Sequence, residues 1–322
     1  MLIKNILVVR NDRFGEFLLN IPVLRALKET FGSATLSLVI NSSVKELAGG
    51  IQYAHDLITW EDKRHSLKEI LGFSKLLKQK KYDACLILNP SKEFNLISFL
   101  AGIPVRVGYD RKWGFLLTKK IKDTKYLGDR HEVDCNLELA GLIGVKTTDK
   151  SLSIKLEEKN FPELRGRTNI AIHPFTGDKV KQWPIERFQQ LAKRISGELG
   201  LRVLIIGKEE GEGIGKGRVK FENLGENIIN LINKTSLIEL SQVIKQCKLL
   251  VSCDSGPVHL SCAVGTPVLA LFRNDLAGKT AKRWGPWLPD SKVLEKNSLA
   301  DIAVDDVFLK VKEMLNANFH DK

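Results

Sequence analysis

Short apolar runs rich in β-branched residues alternate with amphipathic segments of helix length along almost the whole chain, and the alternation restarts once. That pattern restricts the fold to α/β, with parallel sheets covered by helices in two consecutive domains. In the first half, strands are expected over 6–10, 35–40, 84–89 and 105–108. Helices are expected over 14–31, 66–80, 92–101 and 131–143, where apolar residues recur near three- and four-residue spacing. Pro22 falls inside the first helix and should kink or restart it. The polar stretch 145–168, with Pro162 and Gly166, reads as a linker. Beyond it come strand 169–173, helix 184–199, strands 202–207 and 228–231, helix 236–246, strand 249–253, helix 256–264, strand 267–272 and a last helix over 299–315. Domains of residues 1–160 and 161–322 follow, with packing of the last helix back onto the N-terminal domain left open. A chain of 322 residues suits two cores of ordinary size.

Hydrophobic residues at 43% and charged residues at 27% place the chain among soluble globular proteins. Its longest apolar runs are about a strand long, whereas a spanning helix needs about 20 apolar residues. The apolar start is cut off at once by Arg10, Asp12 and Arg13, as in a first strand and unlike a signal peptide. Five scattered cysteines without CxxC spacing indicate neither a disulfide framework nor a zinc site, and fit a reducing cytosol. The net charge of +12 favours an anionic partner. Residues 1–163 hold 26 basic and 20 acidic groups and residues 164–322 hold 24 and 18, so the excess is not a tail. It concentrates between 104 and 130, where Arg106, Arg111, Lys112, Lys119, Lys120, Lys122, Lys125 and Arg130 stand against three acidic residues, beside Trp113 and Phe115. No zinc finger, RRM signature or helix-turn-helix supports a nucleic-acid partner.

Ligands of open parallel sheets sit beyond the carboxyl ends of the strands, which directs attention to 10–16, 173–183, 207–217 and 253–259. After the first strand, Arg10-Asn11-Asp12-Arg13-Phe14-Gly15-Glu16 makes a tight polar turn. It holds one of the three glycines of a dinucleotide fingerprint, which counts against a nicotinamide-dependent oxidoreductase. A carboxylate there either accepts a proton from a substrate hydroxyl or merely favours the helix N-terminus, and spacing alone favours the second. The 173–184 segment carries Thr176, Lys179 and Lys181 into a helix; it suits a departing diphosphate about as well as a solvated turn. The glycine-rich 207–217 segment fails the phosphate-loop spacing, since Glu210 stands where the first glycine belongs, and reads as a surface loop. Glu209 or Glu210 there is placed to hold a ribose hydroxyl. The densest segment is Ser252-Cys253-Asp254-Ser255-Gly256-Pro257-Val258-His259-Leu260. Ser255 and the N–H groups of Gly256 and Val258 would face an anion at the helix start, with His259 in reach; a well-capped core helix is the alternative.

Four segments together resemble the heptosyltransferase family, glycosyltransferase family nine: ILVVRNDRFGEFLLNIPVLRAL at 6–27, IHPFTGDKVKQWPIERFQQLA at 172–192, NKTSLIEL at 233–240, and LSQVIKQCKLLVSCDSGPVHLSCAVGTPVLALF at 240–272. The resemblance implies a GT-B arrangement, two Rossmann-like domains facing a central cleft, and inverting transfer of heptose from ADP-heptose to the lipopolysaccharide inner core without metal or cofactor. It implies that Thr176 and Lys181 contact the donor phosphates, that Asp254, Ser255, Gly256 and His259 line the nucleotide-sugar pocket, and that Thr235 or Ser236 lies near the base. Glu209 or Glu210 would occupy the ribose region. Glu16 stands where the family has an Asp as general base, one methylene farther out, which also motivates a non-catalytic sugar-nucleotide-binding alternative. The acceptor would meet Arg13, Arg111, Lys112, Trp113, Lys119 and Lys120 on the first domain. A cytoplasmic enzyme touching the inner face of the membrane peripherally is the implied setting.

Overall fold

The computed structural model describes residues 3–155, 161–209 and 221–317. The chain divides into two compact units, Met1–Lys155 and Leu156–Lys322. Each unit holds one six-stranded, all-parallel sheet. The first comprises β1 (Asn5–Val9), β2 (Thr35–Ile40), β3 (Asp56–Thr59), β4 (Ala84–Ile87), β5 (Val105–Tyr109) and β6 (Lys119–Ile121). The second comprises β7 (Asn169–His173), β8 (Arg202–Ile205), β9 (Ile228–Asn230), β10 (Cys247–Cys253), β11 (Val268–Arg273) and β12 (Lys292–Lys296). Strand orders β3-β2-β1-β4-β5-β6 and β12-β11-β10-β7-β8-β9 are one topology used twice, the Rossmann order. In each sheet the order reverses between two central strands, β1 and β4 or β7 and β10, and that switch point is where such sheets accept ligands.

The central strands are buried on both faces, so they are almost continuously apolar, as in Ile6 to Val9 and Leu249 to Val251. Three of the four edge strands, β3, β6 and β12, are only partly covered and carry Asp56, Lys119, Lys120, Lys292 and Lys296; no apolar run announces them in the sequence. Lysine on an edge also discourages pairing with another chain. Two of the lysines expected at the acceptor therefore belong to a sheet edge.

Helix ends follow local chemistry. The expected helix over 14–31 is two, Phe14–Leu18 and Ile21–Thr30, with Pro22 in the first turn of the second, where its missing N–H costs no hydrogen bond. Asn20 sits at the joint and donates through Nδ2 to the carbonyls of Glu16 (2.7 Å) and Phe17 (3.1 Å). Pro184 precedes the helix Ile185–Leu199 rather than opening it. The last helix, Val304–Ala317, packs within its own unit against Ile185–Leu199 and β10, burying Val307, Phe308, Val311, Met314 and Leu315. Among the described residues no helix is long and apolar enough to cross a membrane.

Candidate active site

In the second unit the switch point lies between β7 and β10, whose ends bring His173 opposite Ser252. The His173 imidazole is buried, with Nδ1 3.2 Å from the hydroxyls of both Ser252 and Ser255, which are 2.9 Å from each other. Ser252 donates to the Cys253 carbonyl at 2.9 Å. Room for the ring comes from Gly207 after β8: at φ +122° it occupies glycine territory, and a Cβ there would lie 2.5 Å from His173 Cδ2. Burial pushes the His173 pKa down to about 4, so the ring is neutral at pH 7.

A depressed histidine pKa fixes the sign of a pH effect. Below about pH 6.5 the unfolded chain takes up the proton while the native imidazole does not, so stability present above that pH is lost as pH falls toward 4. The shift corresponds to about 3 kcal/mol at full extent. Denaturant titrations between pH 7 and 4.5 should show this loss, and His173→Gln should flatten it; an equally steep variant would exclude His173 as the source.

Ser255 precedes the helix Gly256–Val264, yet its side chain makes no cap hydrogen bond, because the hydroxyl is turned toward His173 and Ser252. The helix start thus keeps a polar end open to a ligand. The Val258 N–H, expected to face an anion, instead donates to the Ser255 carbonyl at 3.1 Å, and Pro257 has none, which leaves Gly256 as the amide nearest the opening. His259 is buried on the same first turn.

Asp254 is half-buried and forms an ion pair with Lys181 from the loop after β7. Burial raises the Asp254 pKa and the Lys181 ammonium opposes that rise. The loop itself is held on several sides. Thr176 Oγ1 accepts from the Asp178 N–H and donates to its carbonyl, both at 3.0 Å; Lys279 pairs with Asp178 at 2.9 Å; and Arg273 donates to the Val180 carbonyl at 3.2 Å. Trp183, fully buried, anchors the loop's end through Nε1 to the Ile302 carbonyl at 3.0 Å and its N–H to Cys253 Sγ at 3.3 Å. Lys181, Arg273 and Lys279 therefore converge on one rigidly held turn.

Sheet order extends this site sideways. Since β10, β7, β8 and β9 are neighbours, the segments after them are too. Asn233 ties two of them together, its side chain accepting from the Glu209 N–H at 3.0 Å and its N–H donating to the Gly207 carbonyl at 2.9 Å. Glu209 and the Thr235–Ser236 pair thus belong to the same rim. Ser236 is the N-cap of the helix Leu237–Lys245, in a capping box with Glu239, so its hydroxyl serves the helix. Glu210 lies outside the described residues.

In the first unit, the switch point between β1 and β4 holds a buried ionic cluster. Arg10 Nε pairs with Asp12 at 2.8 Å and Nη1 with Glu132 at 3.1 Å, while Lys125 Nζ meets Glu132 at 2.5 Å and lies 4.5 Å from the centre of the Tyr109 ring. Lys125, one of the basic residues of the 104–130 run, is thus inside. Asp12 also accepts from Asn89 at 3.3 Å. Glu16, in the first turn of Phe14–Leu18, has no ion-pair partner among the described residues. Its pKa is raised, first by burial and then by the Asp12 charge, with Arg10 and Arg13 pulling the other way. A carboxylate that holds its proton more tightly than usual, yet is not engaged in an ion pair, is suited to general-base work. Arg13 is exposed beside it.

The remaining residues expected at the acceptor have partners of their own. Arg111 pairs with Asp123 (2.9 Å), Lys120 with Asp110 (3.0 Å), and Lys112 and Lys119 donate to the carbonyls of Pro90 (2.9 Å) and Leu142 (2.8 Å). Trp113 is exposed. All five cysteines are free and buried, and burial pushes the Cys85, Cys253 and Cys262 thiols up to about 12. Among the described residues no group of three or more His, Cys, Asp or Glu side chains is placed to hold a metal ion.

Residues 70–305 match the sequence model of glycosyltransferase family 9 (heptosyltransferase). The lipopolysaccharide core heptosyltransferase OpsX of Haemophilus influenzae is 24% identical, with 97% of each chain covered. A crystal structure of a family 9 glycosyl transferase from Veillonella parvula superposes with a TM-score of 0.83 at 20% identity, covering 98% of this chain and 99% of that one. The structure of the E. coli ADP-heptose lipopolysaccharide heptosyltransferase II gives 0.78 at 21% identity over the same shares. These likenesses give the GT-B fold, and the family match, which begins at residue 70, takes in the helix after β4 and the whole Lys181–Asp254–Gly256 constellation but neither β1 nor Glu16. With the motifs standing at the strand ends where such sheets bind ligands, the chain belongs to glycosyltransferase family 9, the heptosyltransferases.

Proposed function

We propose that this glycosyltransferase moves heptose from ADP-heptose to the inner core of lipopolysaccharide with inversion, and that it works in the cytoplasm. The observation that carries the donor side is the Lys181–Asp254 pair beside a helix start whose N-cap hydroxyl is turned away. In the proposed reaction an acceptor hydroxyl oxygen attacks the anomeric carbon, Glu16 takes the hydroxyl proton, and the bond from that carbon to the diphosphate breaks. Lys181, helped by Arg273, Lys279 and the Gly256 amide, neutralises the charge gathering on the departing ADP. Thr176 and Asp178 keep the loop in shape for that task, while Glu209 and Thr235 border the nucleoside. Fixed cations fill the part a metal would otherwise take. The acceptor, anionic and lipid-borne, is assigned to Arg13, Arg111, Lys112 and Trp113, with Lys119 and Lys120 adding field from the sheet edge. A hydride-transfer reading finds no support at β1, where Arg10 and Asp12 occupy the turn that glycines would need.

Ligands that bind only the native state stabilise it, by about 2.7 kcal/mol at a hundredfold excess over Kd, and so raise its melting point. ADP should therefore stabilise the second unit more than UDP, GDP or NADH do. Lys181→Ala should weaken ADP by roughly 10- to 100-fold, the loss of one charge-assisted contact. Preference for another nucleotide would overturn the donor assignment, and mass spectrometry of acceptor incubated with ADP-heptose tests the transfer itself.

A further inference from the structure

Large apolar side chains left in solvent are distributed unevenly. Of eleven among the described residues, nine belong to the first unit (Leu67, Leu71, Leu76, Phe99, Leu100, Trp113, Phe115, Tyr126 and Leu127), and only Val180 and Leu309 to the second. Most stand on three elements in mutual contact: the helix Leu67–Gln79 packs on the helix Lys92–Leu100, which packs on the turn Gly114–Leu116. Arg106 fastens the far end, its guanidinium 5.5 Å from the Phe99 ring centre and its Nε donating to the Leu116 carbonyl at 2.7 Å.

The outer face of Leu67–Gln79 combines two kinds of residue. Leu67 (74% exposed) and Leu71 (57%) lie one turn apart, and Lys75 and Lys78 continue the same ridge, with Lys68 beside them. Its one acidic residue, Glu69, is occupied in the capping box with Ser66. The turn that presents Trp113 and Phe115 is held under backbone strain: Lys112 (φ +48°) and Trp113 (φ +69°) are consecutive left-handed residues. Buried Asn95 fixes them by donating to the Lys112 carbonyl at 2.9 Å, and a Cβ on Gly114 would sit 2.7 Å from Asp110 Oδ1.

We propose that the face formed by Leu67–Gln79, the Phe99–Leu100 helix end and Phe115 is a docking surface for an anionic lipid bilayer. It deepens the function proposed above, because a lipid-borne acceptor is met at a membrane. Exposed leucines enter the acyl boundary while flanking lysines reach headgroup phosphates, and the scarcity of free acid on the ridge matches negative lipid. A polar protein partner would leave the leucines uncovered.

The test is sedimentation of the full chain with vesicles of phosphatidylcholine alone and of phosphatidylcholine mixed with phosphatidylglycerol, without sugar nucleotide. The wild type should bind the mixed vesicles, and less so in high salt. Leu67→Ser/Leu71→Ser and Lys75→Glu/Lys78→Glu should each lower the partition coefficient by at least about tenfold. Leu309→Ser, on the second unit, should not. Both leucines are exposed, so melting temperatures should hold, as should turnover of an acceptor stripped of its lipid. Equal binding by wild type and the paired variants, no preference for anionic vesicles, or a dimer that only the leucine variant dissolves would overturn the proposal. Vesicle binding that persists where heptose transfer fails would sink the proposed reaction and leave the docking surface standing.

Discussion

Glu16→Gln is expected to lower kcat by roughly 10²- to 10⁴-fold with little change in ADP affinity, the usual consequence of removing a general base. The amide keeps the size of the side chain and its place in the first turn of Phe14–Leu18, so donor binding in the other unit is untouched. The wild-type pH profile should carry the same signature. Because burial and the Asp12 charge raise the Glu16 pKa, the acid limb of kcat/KM should lie above the ordinary carboxylate range, activity falling as Glu16 takes up its proton. The stability effect has the opposite sign. A carboxyl with a raised native pKa is penalised when ionised in the folded state, so a neutral amide should leave the melting point unchanged or higher at pH 7. A variant that loses activity and melts lower would indicate a structural role; full activity would remove Glu16 from the reaction and turn attention to donor binding alone. The test also addresses the extra methylene relative to aspartate: Glu16→Asp distinguishes a site built around the longer side chain from one that tolerates either.

The parts of the fold that the sequence makes legible are those where burial and periodicity coincide. Central strands such as β2 and β7 read out to the residue because both faces are covered, while β3, β6 and β12 vanish because half-covered edges tolerate Lys and Asp. The segments after β7, β8 and β10 stand out for their Gly, Pro, Lys and Asp, and repetition of one strand order makes them neighbours. Side-chain partnerships are another matter. That Ser255 turns toward His173 instead of capping its helix depends on Gly207, which comes from a third strand end. Local propensity alone predicts the cap. Lys125 illustrates the same limit: in a run of basic residues it looks like surface, and only the return of Glu132 beneath β4 and β5 takes it inside. Composition detects charge, and tertiary packing decides which charges face water.

Glu132→Ala should be the most disruptive single change in the first unit. Glu132 is 1% exposed and accepts from both Arg10 and Lys125, themselves 4% and 8% exposed. Its removal takes away the carboxylate that both buried cations share, and Asp12 is shown paired with Arg10 alone. Breaking a buried pair in this way costs about 3–5 kcal/mol, because the remaining charge stays desolvated. In a unit of this size that corresponds to a melting point lower by about 10 °C. Arg130 and Glu138 offer the comparison: their ion pair is as short, at 2.7 Å, but both side chains are more than 40% exposed, so Glu138→Ala should change stability by about 0.5 kcal/mol or less. Calorimetry that follows the two units separately should place the loss in the first transition alone. Equal melting of the two variants would mean that water reaches Arg10 and Lys125 after all, and with it the low-dielectric setting that raises the Glu16 pKa would be lost as an explanation.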